Sequence, residues 1–567
     1  MLIRCRASRT ATALLVALFV LALAPGRASA QSTATLVRMY VGAAAPSPTL
    51  SVTVSPATTN AVPNTPVQFN ASVTGTTNTA VVWTATGGTI TTGGQYTAGA
   101  TAGTFSVTAT ISGGTAAGSA AVIVASTEPG AIAPGQDVQA QINAMPTGTT
   151  FRLLSGTHRL PGPLVPKSGT TFVGDPGAVI SGARVLSGFT RSGSYWTVGG
   201  QTQEGPTMGM CLPEYPRCTR PEELYINDVP LRHVANLSDV GPGRWYFDYG
   251  ADRIYFYDDP TGRRVEAAVV SHAFGGNASN VTIAGLIIEK FANRAQQGAV
   301  DGTHASGWTV RDNEIRLNHS TGLRLGHATN AIGNHVHHNG QIGIAGVGDN
   351  ILVDGNEISH NNTAGYDPTW EAGGTKFAKT LYLLVRNNFV HHNNGPGLWT
   401  DIDNRSTVFE GNRVEDNVRM GILHEISYSA VIRNNTIRRN GFGLASWVWG
   451  AGIVISSSAN VEVHGNVVED NAGGIAAAQQ NRGSGPYGAY QVSNLWVHDN
   501  TIRLSRGYTG LAQDIGDPSY FTNRNNKFDR NTYQLGSYLW PFEWMNGPRT
   551  ESEWRGYGQD VSGTFQR

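Results

Sequence analysis

The chain has 567 residues, with 40 basic side chains against 40 acidic ones and only 14% charged residues. That balance argues against nucleic acid or a charged membrane surface as the main partner. Seventy glycines and plentiful Asn, Thr and Ser point to a turn-rich, extracellular, all-β protein long enough for two or three domains.

Residues 1–30 read as a secretory signal. Arg4, Arg6 and Arg9 precede an apolar run at 13–24, and Ala28-Ser29-Ala30 offers a small-residue cleavage site. The run is short for a spanning helix and no later segment is long enough to span. A secreted or periplasmic protein is expected, with no membrane attachment after cleavage. Cys5 lies inside the signal, which leaves Cys211 and Cys218. In an oxidising compartment their short spacing favours a local disulfide over free thiols or metal ligands.

A linker at 31–47 leads to a separate unit at 48–126. Strand-like alternation at 50–54, 67–73, 80–86, 103–110 and 120–124 has the spacing of a β-sandwich. The stretches Trp83-Thr84-Ala85-Thr86-Gly87-Gly88-Thr89-Ile90, Gly94-Gln95-Tyr96-Thr97-Ala98 and Gly103-Thr104-Phe105-Ser106-Val107 resemble bacterial Ig-like domains of the group 2 type. The resemblance implies a spacer or adhesive module.

Residues 127–183 are expected to begin a solenoid. A short helix at 137–145, with Val138, Ile142 and Met145 on one face, is placed to cover the open end of the first turn. Residues 184–268 interrupt the pattern with aromatic hairpin strands such as Trp245-Tyr246-Phe247 and Arg253-Ile254-Tyr255-Phe256, and predict an inserted β-sandwich.

From about 280 to 531, within repeats assigned to 269–534, an asparagine phrase recurs. It starts at Asn313, Asn334, Asn356, Asn388, Asn412, Asn435, Asn466, Asn500 and Asn526, with an apolar residue two places on. Usually a second asparagine closes it, at Asn318, Asn339, Asn361, Asn393, Asn417, Asn440, Asn471 and Asn531. Leu286 takes the asparagine's place in the first turn. A base period near 22–24 residues with insertions of roughly ten is a solenoid signature; propeller blades need roughly 40–50 residues. Short alternations broken by Gly and Asn, with no sustained helical period, predict an all-β parallel β-helix. Asn at left-handed corners, with its side chains stacked along the axis, fits that fold. The tail at 535–567, carrying Trp540, Trp544 and Trp554, is expected to pack on the last turn.

Most turns also carry a Gly-Leu or Gly-Ile step, which aligns them. Gly397-Leu398-Trp399-Thr400-Asp401 then matches Gly421-Ile422-Leu423-His424-Glu425, with Asp401 and Glu425 in one place on adjacent turns. Other turns put Gly326, Val347, Ala378, Ser456 and Ala478 there, so the carboxylates are local rather than a property of the repeat. Stacked strands lie about 4.8 Å apart, close to the separation of about 5–5.5 Å that retaining glycosidases need between nucleophile and acid/base. Acidic side chains on a solenoid face are usually only solvated. Here a third acid (Glu371), Trp370, Trp399, Lys376 and an insertion fall within the same 55 or so residues. The aromatic pair is placed to form sugar platforms, and Lys376 and His424 to hold hydroxyls.

At these residues the sequence resembles family 120 glycoside hydrolases, β-helix β-xylosidases that also carry an inserted β-sandwich. The resemblance implies Asp401 as nucleophile, Glu425 as acid/base and Glu371 as supporting acid, with no cofactor, and implies that the insertion walls a carbohydrate groove. The additional acid Asp403 and the N-terminal unit depart from that pattern and leave Asp403 as a second candidate nucleophile. Two other readings stay open. One is a polysaccharide lyase or epimerase, with Lys376 as base and Ca²⁺ held by Glu371, Asp401 and Asp403. The other is a glycan-binding adhesin without catalysis.

Overall fold

The computed structural model describes residues 49–126 and 128–567. The expected signal, its cleavage site, Cys5 and the linker lie outside the described residues.

Each solenoid turn is set by its corners. A residue with positive φ (Asp312, Gly333, Gly355, Asn387, Gly411, Asn434, Gly465, Asp499 or Arg530) stands immediately before each asparagine of the first ladder. The same holds for the second ladder, where Leu317, His338, His360, His392, Asp416, Arg439 and Asp470 take the left-handed step. The ladder asparagines are therefore not themselves the left-handed residues, contrary to expectation. Their side chains must point inward, and the reversal falls one place earlier. Inside, each ladder amide bonds the next turn, up to Asn471, which closes the second ladder by donating to Ile437 O. Asn388 donates from its backbone (3.1 Å) and side chain (2.9 Å) to Asn412 Oδ1, and Asn412 repeats both bonds to Asn435. The first ladder runs from Asn313 through Asn500 to Asn531 and ends on Asp560. Asn526 instead serves another corner, accepting from Leu495 N and donating to Val492 O and Tyr520 O, so the phase assigned from sequence slipped by five residues in the last turn.

The strands between corners stack into three long sheets of 13, 13 and 11 strands, and every pairing is parallel except the last of the third sheet. The Gly step has a steric cause. A Cβ on Gly397 would lie 2.7 Å from Gly421 O and 2.9 Å from the Asn417 amide; Gly374 and Gly421 meet the equivalent pair of groups, and Gly452 meets the Asn471 amide at 2.7 Å. The glycine lets the third sheet close onto the second asparagine ladder.

The interior is one apolar column-stack from Ile132 to Trp554. Helix Val138–Ala144, capped by the Asp137 carboxylate accepting from Ala140 N, buries Val138 and Ile142 at its start. At the far end the tail does more than pack. Phe542–Glu543 and Thr564–Gln566 extend the third and second sheets, and Trp544 and Trp554 are buried, whereas Trp540 is half exposed. Residues 183–268 form two four-stranded halves joined by the short parallel pairing of Arg232 with Arg244 and His233 with Trp245, around a core that includes Leu224, Trp245, Phe247 and Phe256. Residues 51–124 form a further unit of antiparallel strands with one parallel pairing, Thr58–Ala61 on Ala121–Val124, around Phe69, Tyr96, Val107 and Val122. Among the described residues no helix is long and apolar enough to cross a membrane.

The ladder's contribution is measurable. Asn412→Ala removes the acceptor of two Asn388 donors and the donor to Val385 O (3.0 Å), all buried. At about 1–3 kcal/mol per orphaned buried group, a loss of roughly 3 kcal/mol or more is expected, read as a lowered denaturation midpoint. An unchanged midpoint would refute a stabilising role for the amide stack.

Candidate active site

Alternation along the third sheet decides which side chains face out. Leu398, Trp399, Thr400 and Asp401 pair residue for residue with Ile422, Leu423, His424 and Glu425. Leu398 and Ile422 lie in the solenoid core, so Trp399, Leu423, Asp401 and Glu425 point outward and Thr400 and His424 point in. Along the outward column, Val347 pairs with Ala378, Glu425 with Ser456, Ser456 with Ala478 and Ala478 with Ala512. Asp401 and Glu425 alone in that column are acidic.

Cations bracket the two acids. Lys376 Nζ lies 2.9 Å from Asp401 Oδ2 and 3.4 Å from Glu371 Oε2, and 4.2 Å above the Trp399 ring centre. Glu371 also accepts from Gln296 Nε2 (2.5 Å). On the other side, Arg482 Nη1 donates to Glu425 Oε1 at 2.5 Å. Burial raises the Glu425 pKa most, the charge of Asp401 raises it further, and Arg482 and Lys376 oppose both. Asp401 Oδ1 is buried with no hydrogen-bond partner.

Other expected site residues stand differently. His424 is fully buried, bonded to Thr400 Oγ1 and Tyr428 O at 2.7 Å each, and burial pushes its pKa down to about 4. It braces the interior and cannot reach a sugar hydroxyl on the outer face, because it has the opposite strand parity from Glu425. Trp399 does face outward but is only 4% exposed, roofed by Trp447, Val448 and Trp449 and capped by the Lys376 ammonium, so its ring is no free platform. Trp370 is half-buried, stacked on Tyr366 in the cluster around Cys211 and Cys218. Those two cysteines are bonded to each other, and their loop pairs with 365–367, immediately before Trp370 and Glu371. The insertion thus buttresses one wall of the site. Asp403 sits at a left-handed corner with its Oδ1 accepting from Tyr490 OH (2.6 Å).

Ca²⁺ does not fit the three acids proposed to hold it. Lys376 occupies the space between Glu371 and Asp401, Asp403 is engaged by Tyr490, and among the described residues no group of three or more His, Cys, Asp or Glu side chains is arranged to enclose a metal.

Sequence reading missed Arg482, Tyr490 and Gln296. The signal for the first two was turn length. Three of the four longest ladder steps, Asn356 to Asn388, Asn435 to Asn466 and Asn466 to Asn500, each carry an extra loop beside the carboxylates, and the fourth, Asn500 to Asn531, carries the short helix Ser519–Thr522. Residues 362–372 bring Trp370 and Glu371, 441–450 roof Trp399, and 480–490 carry Arg482 and Tyr490 over the carboxylates. Insertions that gather on one face of a repeat array mark its working face.

A family model described as a right-handed β-helix region matches residues 298–451 and 403–502. No curated protein sequence matches the chain. Among solved structures the chain is similar to the A-modules of the mannuronan C-5 epimerases AlgE6 and AlgE4 of Azotobacter vinelandii. The identities are 16% and 14% and the TM-scores 0.40 and 0.39, over 76% and 77% of this chain and 92% and 96% of theirs. It is also similar to the tailspike protein gp49 of Pseudomonas phage LKA1, at 11% identity and TM-score 0.25 over 72% of this chain and 70% of that one. Lys376, Asp401 and Glu425 all fall inside the segment that is similar to right-handed β-helix regions.

Proposed function

We propose that the protein is an exported carbohydrate-active enzyme, a retaining glycoside hydrolase with Asp401 as nucleophile and Glu425 as general acid, then base. The observation that carries this is the in-register pair: two carboxylates on adjacent strands, one with an unpartnered buried oxygen and the other with a raised pKa. Strand spacing of about 4.8 Å suits the retaining separation of about 5–5.5 Å. Asp401 Oδ1 attacks the anomeric carbon while Glu425 gives its proton to the leaving oxygen. Glu425 then takes a proton from water, which displaces Asp401 with overall retention. Lys376 neutralises the carboxylates flanking it, and Glu371 fixes Lys376. Asp403, held by Tyr490, suits anchoring of the 480–490 hairpin better than attack. In this reading residues 48–126 serve as an Ig-like spacer.

The test is a panel of plant and bacterial glycans. Release of reducing sugar whose first-formed anomer, by NMR, matches the substrate supports the proposal. An ultraviolet-absorbing unsaturated product would indicate a lyase, and binding without release an adhesin. Against the lyase, Lys376 is committed to two carboxylates and a ring face.

The side chains of Asp401 and Glu425 are only 10% and 12% exposed beneath Arg482. In this reading the hairpin swings aside to admit a sugar. Turnover needs protonated Glu425, so its rate falls as pH rises through that raised pKa. Arg482 opposes the rise, so Arg482→Ala is expected to move the alkaline limb of kcat/KM to higher pH. A limb that stays in place would remove Glu425 from the acid role.

A further inference from the structure

Six of the chain's fifteen histidines lie together on the second sheet, away from the carboxylate column. His338, His360 and His392 are exposed corner residues just before ladder asparagines, and their rings stack 4.9 and 5.1 Å apart, nearly parallel. His337 and His391 are the strand residues beside the outer two corners, and His335 stacks on His337.

One arrangement occurs twice. His337 Nε2 lies 3.2 Å from Glu314 Oε1, and its Nδ1 lies 2.8 Å from His338 Nδ1. His391 Nε2 lies 3.1 Å from Glu357 Oε1, and its Nδ1 lies 2.9 Å from His392 Nδ1. A carboxylate accepts only, so each strand histidine is protonated on Nε2 and turns an Nδ1 lone pair toward its neighbour. This is the carboxylate–histidine pairing that orients imidazoles toward metals.

We propose that His337 with His338, and His391 with His392, are two surface sites for a tetragonal transition-metal ion, Cu²⁺ above all. Metal–nitrogen bonds of about 2.0–2.1 Å meeting at a right angle put the two nitrogens about 2.9 Å apart, against about 3.3 Å in a tetrahedron. The hydrogen bond that joins the rings without metal already holds the two nitrogens at 2.8 and 2.9 Å, so a right-angle site needs no separation of the pair. Without metal, the exposed histidine donates its Nδ1 proton to the strand histidine. On binding, that proton leaves Nδ1, the ring is protonated on Nε2 from solvent, and both Nδ1 lone pairs meet the ion. No third protein ligand joins either pair among the described residues, so water completes the coordination. Affinity follows Cu²⁺ over Ni²⁺ over Co²⁺, and Ca²⁺ and Mg²⁺, which prefer oxygen, do not bind.

Equilibrium dialysis of the full chain against copper sulfate tests this. Two ions per chain are expected, with nitrogen splitting from two imidazoles in the Cu²⁺ electron paramagnetic resonance spectrum. His338→Ala leaves one ion, and His338→Ala with His392→Ala leaves none. Both residues are exposed, and circular dichroism checks that the variants fold. Glu314→Gln weakens the first site about 10–100-fold by releasing the tautomer. Wild type that binds no copper, or a double variant that binds as much as wild type, overturns the proposal and leaves only hydrogen-bonded histidine pairs.

Discussion

Asp401→Ala is expected to lower turnover by on the order of 10⁴–10⁶-fold, the range for removing a nucleophile from a catalytic group. The fold should survive, because the same outward column already holds Ala378, Ala478 and Ala512. Lys376 keeps Glu371 as its partner. The space vacated by the carboxylate faces the substrate, so added azide should enter it and attack the anomeric carbon directly. One displacement in place of two gives a glycosyl azide of inverted configuration, detected by NMR, with turnover partly restored. The glycosidase assignment predicts both results. Full activity in Asp401→Ala would move the nucleophile to Asp403 or end the hydrolase reading. A loss that azide does not rescue, in a protein that still binds glycan, would point to a lyase or epimerase.

The solenoid was legible because its rules are local and repeated. An asparagine, an apolar residue and a Gly step at near-constant spacing carry the corner, the core and the closure of each turn, and the same alignment brought Asp401 and Glu425 into register. The orientation of His424 was equally legible in principle. Period-two alternation places Thr400 and His424 inside once Asp401 and Glu425 are outside. What covers the site was not legible residue by residue. Trp399 has the right parity, and its burial comes from 441–450 in a later turn. Arg482 reaches Glu425 across 57 residues. Such contacts depend on how long loops fold back, which no periodicity encodes, although their lengths marked the turns concerned. Asn526 and Asn531 show the remaining ambiguity: two asparagines five apart fit one phrase, and only the inter-turn hydrogen bonds choose between them.

Glu425→Ala separates the two carboxylates by function. With a substrate whose leaving group needs a proton, kcat/KM should fall by about 10²–10⁴-fold, the usual contribution of general acid catalysis. With an activated aryl glycoside the first step needs no acid. Asp401 should then still be glycosylated, releasing one equivalent of the phenol in a burst. Deglycosylation stalls, because no base remains to take the proton from water. Azide needs no base, so it should release the enzyme and give a glycosyl azide of retained configuration, opposite to the product from Asp401→Ala. The alkaline limb assigned to Glu425 should also vanish. Folding is again protected by the column, where Ser456 and Ala478 occupy the same place on the following turns, and Arg482, a third exposed, is free to turn to solvent. A burst in Glu425→Ala and none in Asp401→Ala assigns acid/base and nucleophile respectively. The reverse pattern would exchange the roles, and it would contradict the electrostatics, because burial and the neighbouring aspartate favour the protonated form at Glu425.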